Sequence, residues 1–132
     1  MQKDELISRA LKMRDKAYAP YSKFNVGATL LTASGKAFDG VNVENASFGM
    51  TICAERAAVA AAVAAGERKF TSIAIATDSP EPAVPCGACR QILAEFNPAM
   101  EIFCATTGGK QQRFTLTDLL PQANQGLNRP NV

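Results

Sequence analysis

Apolar residues recur at Leu6, Ile7, Ala10, Leu11, Ala17 and Tyr18 with charged residues between them. That period predicts an amphipathic helix over 2–18, stopped ahead of Pro20. Two β-rich runs follow, 26–33 and 37–43, separated by Ser34-Gly35-Lys36, and they predict a hairpin. From Ala54 to Ala65 the chain is dominated by alanine, the strongest intrinsic helix former, up to Gly66. Its small side chains suit close packing on a sheet. The apolar run 70–77 reads as a buried strand, and three prolines between 78 and 85 forbid either element there. A helix is expected over 87–97, a strand over 101–106, a weaker strand over 111–115 and a short helix over 117–120. A polar tail, 121–132, carries no periodic pattern and is open to disorder or to contact with a neighbouring subunit. The order α-β-β-α-β-α-β-β-α implies crossover units and one mixed sheet with helices on both faces.

At 132 residues the chain suits a single domain, 1–132, and 47% hydrophobic residues are enough for one core. Fourteen basic and twelve acidic residues leave a net charge of +2 with no basic run, which argues against a nucleic-acid partner. No stretch approaches the roughly 18 uninterrupted apolar residues of a membrane span. The first eighteen residues mix both charge signs and lack a signal-peptide core, so a cytoplasmic location is expected.

In that compartment four cysteines point to metal or catalytic chemistry before disulfides. With no histidine in the chain, any transition-metal site must be built from thiolates and carboxylates. Cys86-Gly-Ala-Cys89 alone is shared by redox and zinc sites. Cys53, also at an expected helix start, adds a third sulfur, and helix N-termini favour thiolate over thiol. Three protein ligands leave one tetrahedral position open, as at a catalytic zinc, whereas a structural zinc module would close its shell with a fourth ligand. Cys104 lies inside an apolar run and reads as a core residue. Glu55, two residues past Cys53, either complements the helix dipole or shuttles protons beside the metal. Three thiolates leave the centre negative. Arg56 and Arg90, adjacent to Glu55 and Cys89, are candidates to offset this by donating to sulfur, or are surface arginines.

Ligand-x-Glu followed by Pro-Cys-x-x-Cys is the signature of zinc deaminases. Adding Ala19-Pro20-Tyr21-Ser22, Phe24, Val26-Gly27-Ala28, the run from Asn42 to Ala46, Arg90-Gln91 and Leu119-Leu120-Pro121, the chain resembles the small homotetrameric cytidine deaminases over nearly its whole length. The resemblance implies a three-layer α/β/α domain with a five-stranded mixed sheet, one Zn²⁺ per subunit, and active sites completed by neighbouring subunits. It implies that Asn42 and Glu44 bond the ribose hydroxyls and that Phe24, Ala46 and Phe48 border the nucleoside. Ala54 would offer its backbone to the pyrimidine edge, and Glu55 would carry protons between water, N3 and the leaving amine. A related aminopyrimidine, a nucleoside antibiotic or a polynucleotide is the alternative substrate.

Two departures from the family pattern stand out. Phe48 occupies a position where tyrosine is common. No aromatic residue follows Leu119-Leu120-Pro121, where the family commonly carries a phenylalanine that packs on the base. The expectation is a roomier pocket that tolerates substituents on the 4-amino group.

Overall fold

The computed structural model describes residues 1–123. Its elements are α1 (Lys3–Arg14), β1 (Val26–Thr32), β2 (Ala37–Val41), a 3₁₀ turn (Phe48–Met50), α2 (Ala54–Ala64), β3 (Phe70–Thr77), α3 (Gly87–Phe96), β4 (Glu101–Thr106), β5 (Gln111–Thr115) and α4 (Leu116–Leu119). The strands form one mixed sheet in the order β2-β1-β3-β4-β5. Only β3 and β4 pair in parallel; every other neighbouring pair is antiparallel. α3 connects the parallel pair, and α2 carries the chain from β2 past β1 to β3.

Strand alternation divides the core in two. Ala28, Leu30, Ile73, Ile75, Ile102 and Cys104 face α2 and α3, where they meet Ala54, Ala58, Ala62, Leu93 and Ala94. Ala74, Ala76, Phe103 and Ala105 face the other way and bury Leu6, Ile7 and Ala10 of α1. The result is the expected three-layer α/β/α arrangement. α1 is tied further to the hairpin by Arg9, whose guanidinium forks onto both oxygens of Asp39 at 2.8–3.0 Å, while the Thr29 hydroxyl donates to the same carboxylate. α2 ends in a Schellman motif: Gly66 takes φ +93°, and the amides of Gly66 and Glu67 return to Val63 and Ala62.

Two boundaries differ from the sequence pattern by more than one residue. The first helix stops at Arg14, not Tyr18. Beyond it the amides of Lys16 and Ala17 make tighter bonds to Met13 and Arg14, and the backbone of Tyr18 is then claimed by a bridge to Val43. β2 ends at Val41, not Val43, because Val43 leaves β1 to pair with Tyr18 and Ile52. The 3₁₀ turn at 48–50 has no signal in the hydrophobic pattern. Within the polar tail 121–132, residues 121–123 form a turn in which Ala123 is buried. The remainder of that tail lies outside the described residues.

Two glycines let the helices lie against the sheet. A Cβ on Gly27 would stand 2.2 Å from the carbonyl oxygen of Ala10 in α1. A Cβ on Gly40 would stand 2.2 Å from the carbonyl oxygen of Ala54 and 2.5 Å from the amide nitrogen of Ala58 in α2. The helix backbones thus touch the strand backbones directly, from opposite faces of the hairpin. Neither obstacle is a side chain that can swing away, so a methyl group at Gly40 must push α2 outward. Gly40→Ala should cost about 3 kcal/mol or more of unfolding free energy by overpacking, read as a lowered urea midpoint at unchanged m-value.

Candidate metal centre and cleft

Both cysteine-bearing segments end where a helix begins. Cys53 is the N-cap of α2 and Cys86 the N-cap of α3, each in extended conformation, with Cys89 in the first turn of α3. Both helices pack on the same face of the sheet, and their N-termini meet there. The three Sγ atoms lie within 4.8 Å of one another. That is the scale of a single ion with metal–sulfur bonds of about 2.3 Å, and an all-sulfur donor set suits Zn²⁺. All four cysteines are free thiols, so Cys86 and Cys89 are not a disulfide.

Protonation of the sulfurs follows their surroundings. Burial first, then the nearby Glu55 charge, push Cys89 far above the ordinary thiol range. Burial also raises Cys53. Burial alone would raise Cys86 as well, but hydrogen bonds from the Cys89 backbone, the Cys89 thiol and the Ala88 backbone together bring it below its ordinary value. A divalent cation is what would hold all three as thiolates at once. Cys104 lies apart on β4, where burial and then Glu55 push its thiol up to about 12, and it stays a core residue as expected.

Glu55 is only 6% exposed. Desolvation raises its pKa, opposed by its own backbone amide and by the Cys89 thiol beside it. A buried carboxyl whose pKa is raised, next to three sulfurs that could hold a metal, is suited to taking up and returning a proton.

These groups open onto a cleft of about 210 Å³ lined by Phe24, Val26, Asn42, Thr51, Cys53, Ala54, Glu55, Ile75, Thr77, Ala83, Val84 and Cys86. The walls are mostly apolar and the polar groups few, the usual composition of a small-molecule site. Asn42 is buried, and its amide bonds both ends of one segment: Oδ1 accepts from the Val26 amide at 2.9 Å and Nδ2 donates to the Phe24 carbonyl at 2.8 Å. Each atom retains capacity for one further hydrogen bond.

Glu44 does not line the cleft. Its Oε1 accepts from the amides of Tyr21 and Ser22 at 3.0 Å each, and its Oε2 from the Ser22 hydroxyl, which in turn accepts from the Phe24 amide. Those bonds, the Ser22 hydroxyl foremost, hold the Glu44 carboxyl below its ordinary value. The carboxylate thereby braces the turn that delivers Phe24, a turn strained at Lys23, whose φ is +62°.

The other expected residues fall elsewhere. Ala46 and Phe48 are exposed and outside the cleft. Arg56 is exposed, and among the described residues no hydrogen bond joins it to sulfur. Arg90 does not reach sulfur either: Nε donates to the Pro85 carbonyl at 2.7 Å and Nη1 to the Leu119 carbonyl at 3.2 Å. It holds the chain just before Cys86 instead. Sequence reasoning missed Thr51, Thr77, Ala83 and Val84 as cleft walls. Only their nearness in the chain to Cys53 and Cys86 could have flagged them.

No helix of the described residues is long and apolar enough to cross a membrane. Residues 1–106 match the family described as the cytidine and deoxycytidylate deaminase zinc-binding region. Among characterised proteins, the chain is 44% identical to the cytidine deaminase of Halalkalibacterium halodurans over 124 residues, 93% of this chain and 94% of that one. Among solved structures, cytidine deaminase from Burkholderia pseudomallei superposes with a TM-score of 0.89 at 46% identity, covering 92% of this chain and 98% of the other. The cytidine deaminase of Mycobacterium leprae gives 0.80 at 36% identity, covering 92% and 99%.

Proposed function

Because the chain belongs to the cytidine and deoxycytidylate deaminase zinc-binding family, we propose that it hydrolyses cytidine and 2′-deoxycytidine to the corresponding uridines and ammonia. The observation that carries this reading is a buried glutamate beside three convergent sulfurs at the wall of one cleft. Cys53, Cys86 and Cys89 would hold one Zn²⁺, which when bound would supply the Lewis acidity that makes water a competent nucleophile at neutral pH.

The remaining work belongs to side chains of this protein. Glu55 accepts a proton from the attacking water and delivers it to N3, so that C4 becomes electrophilic as the new C–O bond forms. The same carboxyl then takes the remaining proton from the new C4 hydroxyl and carries it to the 4-amino nitrogen, so that the C4 carbonyl forms as the C4–N bond breaks and ammonia leaves. The Ala54 backbone meets the pyrimidine edge, and Phe24 lies along the nucleoside. The spare hydrogen-bonding capacity of Asn42 serves a ribose hydroxyl, with Glu44 reaching the sugar from the turn it braces. A buried amide of this kind discriminates against ligands that cannot pair with it. Arg56 offsets the charge of the thiolates.

The assembly is a homotetramer with shared active sites, and each chain is a single domain acting in the cytoplasm. Support for the assembly comes from the surface. Phe48 is 88% exposed and Met50 68%, and Val43, Ile52, Tyr18 and Tyr21 are also exposed apolar side chains. The bridges Tyr18–Val43 and Val43–Ile52 bring several of them together, and a contiguous apolar patch marks an interaction site. Ala46 and Phe48, which miss the cleft of their own chain, would border that of a neighbour. With no aromatic residue after Pro121, this pocket also accepts cytidines bearing larger substituents on the 4-amino group.

Three measurements test these points. Zinc-loaded protein should discharge the ultraviolet band of cytidine, and Glu55→Gln should slow this on the order of a thousandfold while keeping zinc and fold. Undiminished turnover in that variant would remove the proton carrier from the mechanism. Across a panel of N4-acyl and N4-alkyl cytidines, turnover of the larger members is expected; activity confined to the unsubstituted nucleosides would refute the roomier pocket. Phe48→Asp should shift the light-scattering mass from four chains to fewer, with activity falling in parallel.

A further inference from the structure

The loop 78–85 forms one wall of the cleft through Ala83 and Val84 and ends at Cys86. It has to carry the chain from the end of β3 over to the α3 face. Three holds along it are visible. At its end Arg90 grips the Pro85 carbonyl. In its middle Lys110 pairs with Glu81, both well exposed, and the Ser79 hydroxyl lies 2.6 Å from both Thr77 Oγ1 and the Glu81 carbonyl. At its first residue, Asp78, the hold comes from the opposite layer of the molecule. Arg14, the last residue of α1, sets Nη1 2.6 Å from the Asp78 carboxylate.

Arg14 is well placed to act as a fixed strut. Its backbone is wedged against Gly27, where a Cβ would meet the Arg14 amide nitrogen at 2.5 Å. Its side chain is about four-fifths covered, Nη2 is held by Asp15 at 2.8 Å, and Nε is buried without a partner. A buried donor left unpaired costs free energy. The arrangement therefore favours the aim of the guanidinium at Asp78 over its own full satisfaction. Gly27 also neighbours Val26, a cleft residue paired with Thr77, another cleft residue directly before Asp78. The strut thus references the loop to the two strands that floor the cleft.

We propose that Arg14 is a positioning residue: through Asp78 it sets the loop that carries the Ala83–Val84 wall and Cys86. This rests on the reading of the cleft as the nucleoside site, while its bearing on Cys86 can be measured without substrate. Arg14→Met keeps the aliphatic stem and removes the charge, and Asp78→Asn removes the other partner on an exposed position. Each variant should raise KM for cytidine about tenfold with kcat changed less, since misplacing a wall by a fraction of an ångström weakens positioning. Each should also speed zinc transfer to a chromophoric chelator about tenfold, as losing a partner behind the ligands does. The double variant should be no worse than either single one, and Arg14→Lys should recover part of both effects. Wild-type KM and zinc transfer in both single variants, whatever their melting temperatures, would overturn the proposal, as would defects that simply add in the double variant. Failure of wild type to turn over cytidine would count against the reading of the cleft, and the zinc-transfer comparison would still decide on the strut.

Discussion

The missing side chain at Gly40 is the constraint on which the centre depends. β2 meets α2 there backbone to backbone, at the carbonyl of Ala54 and the amide of Ala58. Ala54 lies between Cys53 and Glu55, so the contact that seats the helix also sets the height of that sulfur and of that carboxyl above the sheet. The alanines along α2 extend the same logic: Ala54, Ala58 and Ala62 are fully buried and keep the helix axis near the strands. α3 has larger packing residues, Leu93 among them, and brings Cys86 and Cys89 to the same point from the parallel β3–β4 side. Two helices docked at different depths on one face let three sulfurs converge without a long loop.

Around those sulfurs the protein has accepted an unfavourable electrostatic arrangement. Cys53, Cys89 and Glu55 are each raised by burial, and Glu55 raises both thiols. Burial disfavours the charged form of each of these groups; a divalent cation would reverse that preference for the sulfurs and leave the carboxyl as the group free to exchange a proton. Among the described residues no cationic side chain hydrogen-bonds the sulfurs: Arg90 braces Pro85, and Arg56 is exposed, so any relief it gives acts across a distance.

Much of this is legible in residue order, and the reasons are local. The strands at 70–77 and 101–106 are short apolar runs between breakers, and both helix starts at cysteines are marked by what precedes and follows them. The convergence of Cys53, Cys86 and Cys89 beside Glu55 is legible because such residues are rare in this chain and their spacing is tight. The misreadings come from long-range backbone pairing. Ala17 and Tyr18 continue a helical period, yet Tyr18 bonds to Asn42 and Glu44 across the fold. Asn42 and Val43 continue a strand-like run, yet Val43 turns to Ile52. The cleft walls Thr51, Thr77, Ala83 and Val84 are ordinary residues whose role comes only from where the sheet and loop place them. Arg90 sits beside Cys89 in sequence, but an α-helical turn directs its long side chain back towards Pro85.

Asn42 shows how closely scaffold and cleft are joined. One face of its amide accepts and the other donates, and both bonds end on the segment that presents Phe24 and Val26. An aspartate there would match in size but set a carboxylate oxygen against the Phe24 carbonyl, two acceptors with no proton between them. A leucine would leave both backbone groups unpaired. Evolution at this position is therefore nearly closed, whatever substrate the lineage encounters. Any change in what the cleft accepts must come instead from residues that line it without supporting the chain.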